Sequence, residues 1–115
     1  MNTLNIQIFG IQKCFDTKKA QRYFKERNIK FQFVDLLEKD LSKGELDSVE
    51  AAVGLVNIIN KGAKDYERLN LSKIGSSDIK KEILLNNPKL YNTPIVRNGK
   101  KATIGYVPEI WEVWE

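Results

Sequence analysis

The placement of the strand signals constrains this chain more than any other feature. Two lie near the N-terminus with a helical stretch between them, and two lie near the C-terminus with only Asn98-Gly99 between them. In the first, Leu4, Ile6 and Ile8 alternate with Asn5 and Gln7 through Phe9, and Gly10 breaks the run. Asp16 then fits an N-cap. Ala20, Tyr23 and Phe24 share one helical face, and the helix is expected to end near Asn28. Ile29 to Leu36 resumes strand alternation, with Phe31 and Phe33 on one face and Gln32 on the other. A strand, a helix and a strand in that order pair in parallel through a right-handed crossover. Near the other end, Thr93-Pro94-Ile95-Val96-Arg97 and Lys101-Ala102-Thr103-Ile104 flank Asn98-Gly99, a dipeptide suited to the positive φ angles of a two-residue hairpin. Pro108 opens a short terminal helix, which Ile110, Val113 and Trp114 are expected to dock, with Trp111 and Trp114 as packing residues.

The stretch between the two pairs reads as helical. Ser42-Lys43-Gly44-Glu45 matches a capping box ahead of Leu46, Val49 and Val53, and Gly54 and Gly62 punctuate the residues beyond. Leu55 to Lys61 suggests a short helical turn. After Gly75-Ser76-Ser77-Asp78, the positions Ile79, Ile83 and Leu84 mark another helix, which Asn87-Pro88 stops. The order β-α-β, helical insertion, β-β-α resembles that of thioredoxin-like domains. The expectation is therefore one α/β domain spanning residues 1–115, with a mixed four-stranded sheet flanked by helices and an insertion over about residues 42–88. A chain of 115 residues that is 42% hydrophobic can build one such core.

Composition excludes several kinds of chemistry. The one cysteine cannot form an internal disulfide, and without histidine there is neither a thiol–imidazole pair nor an ordinary zinc site, so no metal is expected. Glu38 and Asp40 read as part of a solvated loop. No apolar run approaches the ~18 residues needed to cross a bilayer. Met1 to Gly10 lacks the pattern of a signal peptide, so no membrane association is expected and the location is read as cytoplasmic. The net charge of +4 is spread over short pairs such as Lys18-Lys19, Lys80-Lys81 and Lys100-Lys101, which argues against specific nucleic-acid binding.

Chemistry converges on Cys14. It precedes the first helix, where free N–H groups and the positive end of the helix dipole favour a thiolate, and Lys13 and Lys18 add positive charge. A small buried residue is the competing reading, since free cysteine is often buried. The polar, basic setting favours the reactive one. Thr93-Pro94 is the second signal. A cis proline there would aim the backbone of Thr93 at a bound peptide or thiol, with Lys18 and Arg97 facing its carboxylates, whereas a trans proline would simply open an edge strand. The topology brings Cys14 and Thr93-Pro94 to one exposed groove.

Phe9-Gly10-Ile11-Gln12-Lys13-Cys14-Phe15-Asp16-Thr17-Lys18-Lys19-Ala20 resembles the active-site loop of the arsenate reductase (ArsC)/Spx/YffB family, and the YffB-type branch most of all. The resemblance continues through Asp65 to Leu71, Asn92 to Val96 and Gly105 to Glu109. It implies that Cys14 matches the cysteine that attacks arsenate and then exchanges with glutathione. The family's arsenate reductases also carry three arginines that hold the oxyanion, and here Asn60, Thr93 and Tyr106 stand in their places. Lys18 replaces a further basic residue, and Lys61, Lys18 and Arg97 leave only a diffuse positive field, so efficient arsenate reduction is not expected. The expected function is that of a thiol-dependent oxidoreductase with no bound cofactor. Glutathione serves as co-substrate, because a lone cysteine needs an external thiol to open its mixed disulfide, and glutaredoxin or thioredoxin are the implied protein partners. The alternative is a regulatory module like Spx that binds RNA polymerase or another protein. Gly54 lies near the glycine of the Spx contact surface, but Phe15-Asp16-Thr17 offers no second cysteine for an internal switch.

Overall fold

In the computed structural model, which describes residues 4–114, the two early strand signals fold as β1 (Ile6–Gly10) and β2 (Phe31–Asp35). Gly10, expected to break the first run, is instead its last residue: it pairs with Asp35, and its carbonyl accepts from Leu36 N–H at 2.9 Å. The strands are parallel, registered from Ile6 against Phe31 to Gly10 against Asp35. Helix α1 (Phe15–Glu26) makes the crossover.

The N-cap of α1 is Cys14 rather than Asp16. The chain reverses directly after β1, with Cys14 N–H donating to the Ile11 carbonyl at 2.9 Å, so the helix starts earlier than expected. Asp16 falls in the first turn, where its charge suits the helix dipole. At the other end Asn28 takes φ 57°, Asn28 N–H donates to the Lys25 carbonyl, and Ile29 N–H donates to the Phe24 carbonyl. That pair of bonds is a Schellman motif with asparagine in the left-handed position.

The late strands form a hairpin, β3 (Ile95–Asn98) and β4 (Lys101–Ile104), with Gly99 at φ 62° in its turn. β3 runs antiparallel to β1, registered from Ile6 against Asn98 to Phe9 against Ile95. The sheet order is β2-β1-β3-β4, a mixed four-stranded sheet of thioredoxin-like type.

Between β2 and β3 lie α2 (Lys43–Val53), α3 (Leu55–Ile58), α4 (Lys64–Arg68) and α5 (Ser77–Leu85), with 3-10 turns at Leu71–Lys73 and Pro88–Leu90. The capping box of α2 forms as the sequence suggests: Glu45 N–H donates to Ser42 Oγ at 3.1 Å and Ser42 N–H to Glu45 Oε1 at 2.9 Å. Lys81 Nζ joins α5 to α2 through Asp47 and Glu50, at 2.5 and 2.7 Å.

Alternation along β1 divides the core. Ile6 and Ile8 face α1 and the terminal helix α6 (Pro108–Trp114), packing with Ala20, Tyr23, Phe24, Val96, Trp111 and Trp114. Phe9 faces the insertion with Ile95, Leu46, Val49, Ile58, Leu84 and Leu90. On α6 the docking residues are the two tryptophans, while Ile110 and Val113 are 44% and 81% exposed. Trp114 docks as expected, and with Trp111 three residues before it sets the buried face, because burial of two indoles removes more apolar area from water than Ile110 and Val113 would. Trp111 Nε1 donates to Thr103 Oγ1 at 2.8 Å, so neither buried polar atom lacks a partner. Among the described residues no helix is long and apolar enough to cross a membrane.

Candidate active site

Because Phe9 pairs with Ile95, the chain leaving β1 and the chain entering β3 lie at the same end of the sheet. Cys14 comes from the first and Thr93 from the second. The Cys14 thiol, half-buried, donates to the Thr93 carbonyl at an Sγ···O distance of 3.7 Å. The Thr93–Pro94 peptide is cis. Neighbouring segments fix this loop: Asn92 N–H donates to the Ile58 carbonyl at 2.7 Å, and Asn92 Nδ2 donates to the carbonyls of Asn57 and Ile59 at 3.0 and 3.1 Å. Beyond it, Gly105 N–H donates to the Pro94 carbonyl at 2.8 Å, which ties the segment holding Tyr106 to the same loop.

Burial pushes the Cys14 thiol up, but the groups around the sulfur outweigh it and leave the pKa below the ordinary thiol value. These are the Thr17 and Thr93 hydroxyls, followed by the backbone N–H groups of Thr17 and Asp16. The Thr93 carbonyl favours the protonated form, whereas hydroxyl and amide donors favour the thiolate. Thr17 is fully buried, and its Oγ1 has no hydrogen-bond partner of regular geometry. A thiolate beside it, a stronger acceptor than a thiol, supplies that partner. Thr17 reaches this position because Gly10 has no side chain: a Cβ there would stand 2.5 Å from Thr17 Oγ1.

Sequence reasoning missed Thr17. Its signal was the spacing, three residues beyond Cys14, which on the first turn of a helix turns its hydroxyl back toward the N-cap. Lys13 and Lys18, expected to support the thiolate, are both exposed, and the groups that lower the thiol are hydroxyls and amides rather than their ammonium groups.

Arg97 sits elsewhere. Its Nη1 donates to Gln7 Oε1 at 2.9 Å and its Nη2 to Ser48 Oγ at 3.3 Å, with Glu45 at 3.9 Å. Gln7 Nε2 in turn donates to Gln32 Oε1 at 3.2 Å. Gln32, Gln7 and Arg97 are registered partners on β2, β1 and β3, so they form a polar row across the sheet under α2. The expectation that Arg97 faces a ligand beside Thr93 is corrected: residues two apart on a strand share a face, and Ile95 and Arg97 both point toward the insertion.

The three positions where the resemblance leads one to look for arginines carry no cation. Asn60 stabilises a turn, its Oδ1 accepting Gly62 N–H at 3.0 Å, and its N–H donates to the Leu90 carbonyl at 2.7 Å. Thr93 faces the sulfur. Tyr106 stacks edge-on against Trp111, with ring centroids 5.6 Å apart. Lys19 Nζ lies over both the Tyr106 and Phe15 rings, at 5.4 and 5.1 Å. Among the described residues no group of three or more His, Cys, Asp or Glu side chains is placed to hold a metal ion.

Comparison with known proteins places the chain in a family. The chain is 27% identical over 107 residues to the global transcriptional regulator Spx 2 of Oceanobacillus iheyensis, covering 90% of this chain and 78% of that protein. It superposes on the solved structure of an arsenate reductase from Vibrio cholerae with a TM-score of 0.88 at 24% identity, covering 99% of this chain and 100% of that one. The YFFB (PA3664) protein gives a TM-score of 0.82 at 21% identity, covering 95% and 97%. These two structures bear on the fold alone. The model of the ArsC family matches residues 9–113, which include Cys14, the Thr93-Pro94 loop and Tyr106, and the chain belongs to the ArsC family.

Proposed function

We propose that this protein is a thiol oxidoreductase in which Cys14 attacks a disulfide and a small thiol such as glutathione completes turnover. The juxtaposition of the Cys14 sulfur with the Thr93 peptide, beside the buried Thr17 hydroxyl, carries this reading. In the first step the Cys14 thiolate attacks one sulfur of a disulfide. A mixed disulfide to Cys14 forms, the original S–S bond breaks, and the other sulfur leaves as a thiolate that takes up a proton. In the second, a glutathione thiolate attacks the substrate sulfur of the mixed disulfide, which returns Cys14 as a thiolate; a further glutathione reduces the product, so the electrons come from the small thiol. Glutaredoxin or thioredoxin could serve in place of that further thiol. The chemistry suits a reducing compartment such as the cytoplasm, which keeps a lone thiol available. Incubation with glutathione disulfide, followed by mass spectrometry of the intact protein, tests the reading. One glutathione adduct on the native protein that Cys14→Ser lacks is expected, and no adduct without denaturant contradicts it.

A second reading, a regulatory module that binds RNA polymerase or another protein, is supported by the likeness to Spx regulators. Gly54 forms the joint between α2 and α3 at φ 86°, with Val56 exposed beside it. Direct binding of purified RNA polymerase to the immobilised protein, lost on Gly54→Arg, would favour it over the enzyme.

A further inference from the structure

The surface next to Cys14 is aromatic and cationic. Phe15, immediately after the cysteine, is 71% exposed, and Tyr106 is 39% exposed. Lys19 Nζ lies over both rings, so the two aromatics and the ammonium form one continuous shelf. The shelf opens into a cavity of about 230 Å³ lined by Lys19, Arg22, Tyr23, Glu26, Arg27 and Tyr106. Along the outer face of α1, Lys18, Lys19, Arg22 and Lys25 are all exposed, and Glu26 is the one carboxylate among them. Asp16, exposed one turn before Lys19, borders the stripe at its N-terminal end, so four cations face two carboxylates and the face stays net positive. Among the described residues neither Lys18, Lys19 nor Arg22 has an ion-pair partner. The helix also points its positive end toward Cys14.

We infer that this shelf and the cationic face of α1 form a substrate-docking site for an acidic protein segment whose disulfide is the one that Cys14 attacks. The inference rests on the proposed thiol exchange and names its substrate class. Two exposed aromatic rings beside the nucleophile match the aromatic anchors that dominate protein interfaces, and a small thiol covers little of such a shelf. The row of cations selects the charge of the segment that runs along the helix. The electron balance is that of the exchange itself: the bound disulfide is reduced, and glutathione is oxidised.

The test compares three probes by the rate at which each forms a mixed disulfide with Cys14. The probes are a short peptide disulfide with phenylalanine and glutamates beside its cysteine, the same peptide with lysines in place of the glutamates, and uncharged dithiodipyridine as the normaliser. At low ionic strength the normalised rate is expected to favour the acidic peptide by about tenfold or more, and the preference is expected to vanish near 1 M salt, where the Debye length is ~3 Å. Lys19→Glu/Arg22→Glu is expected to invert the preference. The wild-type salt dependence stands as evidence whether or not that variant folds. Equal normalised rates for the two peptides, or a preference that survives charge reversal or high salt, overturns the docking site alone. Glutathione disulfide showing the same salt-sensitive advantage as the acidic peptide also overturns it, because small anions would then suffice. If dithiodipyridine itself leaves native Cys14 unmodified, the exchange reading fails and takes this inference with it.

Discussion

The Cys14 sulfur lies 3.7 Å from the Thr93 carbonyl oxygen, although 79 positions separate the two residues in the chain. Antiparallel pairing of β1 with β3 creates that proximity, since Phe9 and Ile95 end the ladder together and each chain then turns into the same groove. A thiol at the N-cap of α1 thus meets both helix N–H groups and the backbone of a second segment.

Thr17→Val tests whether the buried hydroxyl sets the reactivity of the thiol. Valine keeps the shape and removes the donor, so the Cys14 pKa should rise and alkylation at neutral pH should slow, by about tenfold for each unit of rise. Thr17→Ser should retain most of the effect. Because the Thr17 hydroxyl lacks a regular partner in the thiol form, stability at low pH should change by less than about 1 kcal/mol. The sign of the linkage is set by the direction of the shift. A thiol whose folded pKa is depressed adds stability above its unfolded pKa and loses that contribution as pH falls through the folded pKa. Denaturant unfolding of wild type and Thr17→Val, compared across that range, should therefore diverge as pH rises.

Gly10→Ala probes the packing that places Thr17. The new Cβ would stand 2.5 Å from Thr17 Oγ1 and 2.6 Å from its Cγ2, and Thr17 is fully buried. A loss of about 1–3 kcal/mol is expected from this overpacking. Adding Thr17→Ala should recover part of it, and a double-mutant cycle by urea denaturation measures the coupling.

Much of the fold was legible because local signals agree with the global pattern. The alternation of Leu4, Ile6 and Ile8, the capping box at Ser42 and Glu45, and Asn98-Gly99 each have one physical reading, and the structure contains all three features they imply. The errors arose where tertiary contacts decide. Asp16 is a good cap by residue type, yet the turn from Ile11 to Cys14 starts α1 sooner. Ile110 and Val113 have helical spacing, yet α6 is turned so that the two tryptophans bury more surface. For the site, the spacing and order of Cys14 and Thr93-Pro94 carried enough information to place them together. Arg97 was misplaced because a strand position gives the face of a side chain and not the helix above it. Thr17 was missed because its importance depends on the absence of a side chain at Gly10, a contact between β1 and α1 that no local pattern records.

Arg97→Met should act on stability rather than on the thiol. It removes the hydrogen bonds to Gln7 and Ser48 and leaves Glu45 without its cation, and a loss of about 1–3 kcal/mol in denaturant unfolding is expected. Cys14 alkylation rates should stay within about twofold of wild type, a change worth ~0.4 kcal/mol. A larger drop in reactivity with unchanged stability would return Arg97 to the ligand groove.

Arsenate offers a separate test of the groove. Asn60 is engaged in a turn, Thr93 faces the sulfur and Tyr106 packs on Trp111, so none of these three positions supplies a guanidinium fork to hold an oxyanion. Purified protein supplied with glutathione and glutaredoxin should reduce arsenate at well under about 1 per second, the low end of ordinary enzymes. Turnover at or above that rate would mean that the hydroxyl and amide donors alone suffice.

A groove that activates Cys14 as a thiolate must show itself in the pH dependence of alkylation, with no substrate or partner needed. Iodoacetamide labelling of the native protein, followed by intact mass from pH 5 to 10, gives the midpoint, with glutathione measured alongside. One label that Cys14→Ser lacks is expected, with a midpoint below the ~8.5 of a free cysteine. A midpoint at or above that value, or labelling that requires denaturant, contradicts an activated Cys14.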